Sequence, residues 1–375
     1  MPNPKALTRA ELDRQILDQA RASPMAPRWV FTLQGWNNYV HEVIERPDLA
    51  DFAPAGTPVL SNDTRLRYHA HLRLVSHPAF DKALLKAHRL LLANGNRREG
   101  LMERAIDGPP GTGKTFLLRV IGRDFQRSIE DRFPDDQSRI PVVHITAPQD
   151  PENVLNWVWE IADFLGLTPA PKDMNELLQP RRTPDLSQPV WRVMEMHSTQ
   201  LLLVDGLQRI HPAHLVPFLL YLGKLREKLG ITTIFCGTGS RTILQAAQDK
   251  AVHAGEAMKG LAQRAPTLTD NDGKEHRLLP QVDPSRLPVT WLDPIPLYAG
   301  DQETWPKILR SFEDDLALHH LTPHALVSEA KYLHERTGGY FKLLSQLICQ
   351  AAVTAIEDGS ENITRELLED TDIGG

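Results

Sequence analysis

Eight consecutive residues carry the most chemistry in this chain: Gly108-Pro109-Pro110-Gly111-Thr112-Gly113-Lys114-Thr115 fit the pattern G-x-x-x-x-G-K-[ST] at every fixed position. The glycines let successive backbone N–H groups turn toward a polyanion, and a helix beginning at Lys114 would aim its positive dipole end at the same point. Lys114 is then placed to reach the β- and γ-phosphates of a nucleoside triphosphate, and the Thr115 hydroxyl to ligate Mg²⁺. A second chemical group is Asp205, which follows the four apolar residues Leu201 to Val204. A carboxylate at the end of a buried strand is the Walker B arrangement, placed beside the phosphates to hold the same Mg²⁺ through water. No carboxylate lies in the six residues after Asp205, which read Gly206, Leu207, Gln208, Arg209, Ile210 and His211. Either another group positions the water, with Gln208 and His211 the local candidates, or ATP hydrolysis is slow or partner-dependent, which is the expectation favoured.

Positioning these groups requires strands that end beside one another and helices that follow them. The candidates are Met102 to Asp107, Ile140 to Ile145, Leu201 to Asp205 and Thr232 to Cys236, each short, apolar and separated by helix-like sequence. An α/β fold follows, with a parallel sheet covered by helices on both faces. Glu103, Arg104 and Asp107 break the apolar run of the first strand, so that strand is expected to be short or partly exposed. Lys114 to Gln126 carries Phe116, Leu117, Val120, Ile121 and Phe125 at helical spacing.

The chain of 375 residues divides, on composition, into an N-terminal arm or docking region (1–85), a nucleotide-binding core (86–290) and a helical lid (291–375). Segments 168–190 and 265–290 read as loops within the core. In the lid, Thr322-Pro323 is expected to start a helix that Gly338-Gly339 ends, and Tyr340 to Ile356 a second with one apolar face.

Composition restricts the remaining possibilities. No apolar run is long enough to cross a bilayer, which points to a cytoplasmic protein without a membrane partner. Only Cys236 and Cys349 are present, and the histidine pairs His211/His214 and His319/His320 lack metal-site spacing, so neither a disulfide framework nor a cysteine or histidine metal site is expected. A net charge of −6 argues against wholesale coating by nucleic acid but permits a local basic stripe. Candidate stripes are Arg97-Arg98, Lys172 with Arg181-Arg182, and Lys224/Arg226/Lys228.

A P-loop α/β core followed by a small helical lid resembles the AAA+ class of ATPases. A finer resemblance, to the TniB/TnsC-type transposition ATPases of bacterial mobile elements, is carried by Arg67-Tyr68-His69-Ala70 and Arg97-Arg98-Glu99-Gly100-Leu101. It is carried further by Tyr332-Leu333-His334-Glu335-Arg336-Thr337-Gly338-Gly339 and by Ala355-Ile356-Glu357-Asp358-Gly359 with Ile363-Thr364. The resemblance covers about residues 65–370. It implies ATP and Mg²⁺ as cofactors and a homo-oligomer, ring or filament, on duplex DNA. Partners would be a transposase and target-selector proteins. By position it also implies that Thr238 senses the γ-phosphate, that Arg264 is an arginine finger reaching a neighbour's ATP, and that Lys342 stands in the second-sensor place. Members of that family usually carry Asp-Glu in Walker B, from which Gly206 departs. Two other roles fit a P-loop protein: a signalling or defence ATPase that controls an effector, and a scaffold that binds ATP without turning it over.

Overall fold

The computed structural model describes residues 30–52, 56, 63–70, 77–97, 101–168, 184–261, 267–269, 275–277, 287–298 and 303–373. The expectations placed on Arg98, Glu99, Gly100, Lys172, Arg181, Arg182 and Arg264 lie outside the described residues. In chain order the helices are α1 (Leu33–His41), α2 (Thr64–His69), α3 (Pro78–Gly95), α4 (Lys114–Arg132), α5 (Val154–Phe164), α6 (Ser187–Met196), α7 (Pro212–Leu229) and α8 (Ser240–Leu261). A second group follows: α9 (Thr304–Asp315), α10 (Ala325–Ser328), α11 (Ala330–Thr337), α12 (Phe341–Glu357) and α13 (Arg365–Asp370). The strands are β1 (Arg104–Asp107), β2 (Val142–Thr146), β3 (Leu201–Asp205), β4 (Thr232–Cys236), the short pair β5 (Thr267–Thr269) and β6 (Glu275–Arg277), and β7 (Val289–Trp291).

Five strands form one sheet in the order β2-β3-β4-β1-β7, every neighbouring pair parallel. Every residue of β3 and β4 is buried. Because successive side chains of a strand point to opposite faces, burial of all of them means that both faces are covered. Parallel strands also end at one edge, so Asp107, Asp205 and Cys236 emerge on the same side of the sheet.

The expected strand from Met102 is short, starting at Arg104, and its polar residues have specific partners rather than solvent. Glu103 lies 3.0 Å from Arg226 Nη2 of α7, and Asp107 is 1% exposed. Strand β7 is a correction to the sequence reading, which placed 265–290 in a loop: Val289–Trp291 adds a fifth strand beside β1, and β5 pairs antiparallel with β6. The lid start is also corrected. Thr322-Pro323 does not open one continuous helix: α10 and α11 are separate, and His324 adopts φ of 64°. Glu313 Oε1 of α9 accepts the amides of Leu326 and Val327, capping α10 from outside.

Among the described residues there are two hydrophobic cores, one running from Val30 to Leu292 around the sheet and one from Ile295 to Leu368 among the second group of helices. The segment before the P-loop packs on both. In α1, the Trp36 ring is fully buried on Gly122 of α4, where an added Cβ would come within 2.8 Å of the ring, and Trp36 Nε1 donates to Gln126 Oε1 at 2.7 Å. Further along, Arg65 of α2 holds Glu361 with a two-pronged pair of 2.9 Å bonds and Asp63 at 2.9 Å, all nearly buried. Tyr68 Oη donates to the Asp315 carbonyl and Arg46 Nη2 to that of Leu316. The docking partner of this arm, over its described part, is therefore its own chain.

Two histidines are built into these contacts in neutral form. His69 is fully buried between the Arg65 carbonyl (2.7 Å from Nδ1) and the Ala317 amide, which donates to Nε2 at 3.1 Å. His144 of β2 is equally buried, its Nδ1 3.1 Å from the Val30 carbonyl. Burial lowers both pKa values to about 4. Below an unfolded pKa near 6.5 the unfolded chain takes up these protons and the native chain does not, so stability falls as pH drops from about 6.5 toward 4. Half-buried Glu160 on α5 opposes this, since desolvation raises its pKa to about 7 and the native state binds its proton first. We expect the unfolding free energy to decline toward pH 5, and Glu160→Gln to steepen that decline by about 1.4 kcal/mol per pH unit. Denaturant titrations at pH 6.5, 5.8 and 5 check this; a profile indifferent to Glu160→Gln would refute it.

Candidate nucleotide site

Helix α4 begins at the end of the motif because Gly113, its N-cap, holds φ of 90°, and Gly111 holds 83°. Both values lie in the left-handed region that residues with a Cβ avoid. No side chain caps α4, and the amides of a first helical turn have no intrahelical acceptor. The loop therefore offers amides and a dipole end to an anion. Lys114 is 7% exposed, and its Nζ donates to the carbonyls of Gly108 (2.8 Å) and Pro109 (2.6 Å). Burial pushes this ammonium below the ordinary lysine range, against the nearby negative groups, Asp107 and Asp205 among them.

Asp205 ends β3, is 8% exposed, and accepts the Gly206 amide at 2.8 Å. The two Walker residues meet at Cys236, the last residue of β4. Its thiol is held far above the usual cysteine range by burial first and by Asp205 next, while the Lys114 ammonium and then the Thr115 side chain act in the opposite direction. Thr115, Lys114 and Asp205 thus converge at one edge of the sheet, as a Mg²⁺-nucleotide site needs. Among the described residues no cluster of three His, Cys, Asp or Glu side chains could hold a metal by itself. A metal here would depend on phosphate oxygens together with Thr115 and Asp205.

Thr238 sits half-buried in the turn after β4, between Gly237 and Gly239. Gly237 packs against the Walker B turn so closely that a Cβ would meet Gln208 Oε1 at 2.8 Å. Gln208 is thereby brought to the turn that carries Thr238, whereas exposed His211 accepts the Ala213 amide as the N-cap of α7. Lys342 enters through its backbone: its amide donates to the Gly111 carbonyl at 3.1 Å, while its side chain is exposed. Tyr340, just before it, packs within 3.5 Å of where a Gly111 Cβ would stand. The start of α12 therefore rests on the phosphate loop.

The chain from β7 to the lid also crosses this loop. Leu292 donates its amide to the Asp107 carbonyl, and a Cβ on Gly108 would lie 2.1 Å from the Leu292 carbonyl oxygen. Three residues on, Ile295 donates to the Gly339 carbonyl, and a Gly339 Cβ would lie 2.1 Å from the Ile295 oxygen. Sequence reading missed this linker, and its only signal is the glycine at each crossing.

Of the basic stripes, that on α7 has partners within the chain. Arg226 pairs with Glu103, and Lys228 lies 4.0 Å over the Trp191 ring. An unanticipated basic face occurs on α3, where exposed Lys82, Lys86 and Arg89 are four and three residues apart.

A five-stranded parallel sheet with a phosphate loop after β1, a carboxylate ending β3 and a helical lid seated on the loop defines an α/β AAA fold. Residues 104–242 match the family described as AAA domain, which implies ATP binding, typically with Mg²⁺. Among solved structures, the chain resembles the Aeropyrum pernix ORC1 protein in complex with DNA at 13% identity, with a TM-score of 0.52. That match covers 79% of this chain and 64% of the other, so this chain spans less than two thirds of that relative. Domain III of the Thermotoga maritima replication initiation protein DnaA matches at 17% identity, covering 79% and 92% of the two chains with a TM-score of 0.45. The Thermotoga maritima RuvB Holliday junction branch migration motor matches at 13%, covering 77% and 67% with a TM-score of 0.38. At such identities the likeness is one of fold. No curated protein matches the sequence.

Proposed function

We propose that this protein is an ATP-dependent AAA+ regulator that assembles as a homo-oligomer on duplex DNA and links target choice to a transposase. The observation that carries the nucleotide-gating half is the seat of the lid on the phosphate loop through the Lys342 amide and Gly111 carbonyl. A ligand that moves this loop must act on the lid as well. In this reading Gly108 to Thr115 hold the phosphates, Thr115 and Asp205 hold Mg²⁺, and Thr238 senses the γ-phosphate. When bound, the ion would neutralise charge on the phosphates. Arg264 would reach a neighbour's nucleotide from beyond the end of α8, making ATP a ligand of the assembly and so its stabiliser.

The DNA half is supported by the resemblance to TniB/TnsC-type ATPases, by the fold shared with an ORC1 protein bound to DNA, and by the basic face of α3. Sedimentation with duplex and a non-hydrolysable ATP analogue tests both halves. Large species should form only for wild type with nucleotide, and Arg264→Ala should stay small. Because phosphate contacts release counterions, log affinity should fall with log salt by about 0.9 per phosphate neutralised. Assembly that ignores ATP, or binding that ignores salt, would sink the proposal. Gly206 favours one alternative within it, an ATP-bound scaffold with little turnover, which a turnover assay separates.

A further inference from the structure

Asp107 is the last residue of β1 and stands immediately before the phosphate loop, where it interrupts an otherwise apolar strand end. Beyond its negative charge near Lys114, the nucleotide chemistry gives it no role. Its carboxylate is 1% exposed and accepts backbone amides from two separate loops. Oδ1 takes the amide of Gly108 at 2.7 Å and that of Gly239 at 2.8 Å; Oδ2 takes that of Arg241 at 2.9 Å. Gly108 begins the phosphate loop. Gly239 follows Thr238, and Arg241 lies in the first turn of α8. One buried anion thus satisfies amides at the start of α8, where a negative charge is also favoured by the helix dipole. Two nearby bonds run parallel to this bridge: Ser240 Oγ and the Gly237 amide both donate to the Ile106 carbonyl, at 3.0 and 3.3 Å.

We propose that Asp107 is a positioning residue that locks the Thr238 turn and the start of α8 to the phosphate loop, so that displacement of one is carried to the other. Helix α8 has 22 residues and ends at Leu261, three positions before Arg264. At 1.5 Å per residue it spans about 33 Å. A shift at its first turn therefore has a stiff path toward the residue proposed to act on a neighbour. That last step rests on the function proposed above; the lock does not.

Hydrogen exchange of the full-length protein, with and without a non-hydrolysable ATP analogue, reads the lock directly. In wild type the amides of Gly108, Gly239 and Arg241 should slow together when the analogue binds. Asp107→Asn keeps the shape and the Oδ1 acceptor but turns a donor toward the Arg241 amide. At saturating analogue, the protection gained at Arg241 should drop about tenfold, the equivalent of one charge-assisted hydrogen bond. Ser240→Ala, which leaves the carboxylate bridge intact, should behave as wild type. Independent exchange of Gly108 and Arg241 in wild type would overturn the proposal and needs no variant, and so would a full Arg241 response in Asp107→Asn. If wild type shows the linked exchange but never assembles with ATP, the functional reading fails and the lock stands.

Discussion

Lys114→Ala is expected to lose nucleotide binding while keeping the fold. In the structure its ammonium lies across the loop on the Gly108 and Pro109 carbonyls, and the proposed role has it turn from these to phosphate oxygens. Loss of one or two charge-assisted hydrogen bonds, about 1.5–3 kcal/mol each, corresponds to an affinity lower by about 10–10⁴-fold. Truncation to Ala also leaves the Gly108 and Pro109 carbonyls without this donor, at a cost of about 1–3 kcal/mol, so the fold should survive with a lowered melting temperature. Titration with a fluorescent nucleotide gives the affinity, and a thermal melt confirms the fold. Wild-type affinity in a folded Lys114→Ala protein would remove the phosphate-binding role from this loop.

A second large effect is expected in turnover. With no carboxylate after Asp205, the attacking water lacks its usual base, and such a loss typically costs about 10²–10⁴ in rate. The purified protein should bind ATP with Mg²⁺ and turn it over slowly. Gln208→Ala should slow it further, because Gln208 packs at the Thr238 turn, whereas His211→Ala should affect the cap of α7 and leave turnover alone. Gly206→Glu has room, the nearest atom to its Cβ being the Ala147 amide nitrogen at 3.7 Å, but Gly206 holds φ of 84°. The variant should therefore gain rate at a loss of about 1–2 kcal/mol in stability. Asp205→Ala, by contrast, should weaken Mg²⁺-dependent binding itself. A brisk wild-type ATPase indifferent to Gln208→Ala would mean that another group activates the water.

The phosphate loop was legible because its residues are contiguous. A phosphate loop needs its glycines and lysine in one run, and β3 and β4 announce themselves by four or five successive buried residues. What stayed hidden depends on pairing across the chain. Strand β7 has three residues, too few for a periodic signal, and only its place beside β1 makes it a strand. Trp36 reads as an aromatic in an arm until Gly122, 86 positions later, is seen to leave space for its ring. Glu103 and Asp107 suggested exposure because polar residues seldom enter buried strands unpaired; their partners, Arg226 and the amides of Gly239 and Arg241, come from distant segments.

The linker crossings bear on how a map of substitution tolerance for this protein should be interpreted. Gly108 belongs to a motif whose intolerance is ordinarily credited to the phosphates, yet here any side chain would also strike the Leu292 carbonyl. Gly339 lies far along the chain from that motif and meets the same obstacle at Ile295. A scan for nucleotide-binding positions would return both as forbidden and assign them one cause. Scored instead by retained stability in the absence of nucleotide, the two should group together and apart from Gly113, whose Cβ would meet nothing within 4 Å. The loss at Gly113 would come from its left-handed backbone alone, leaving the two linker crossings readable as a pair of glycines.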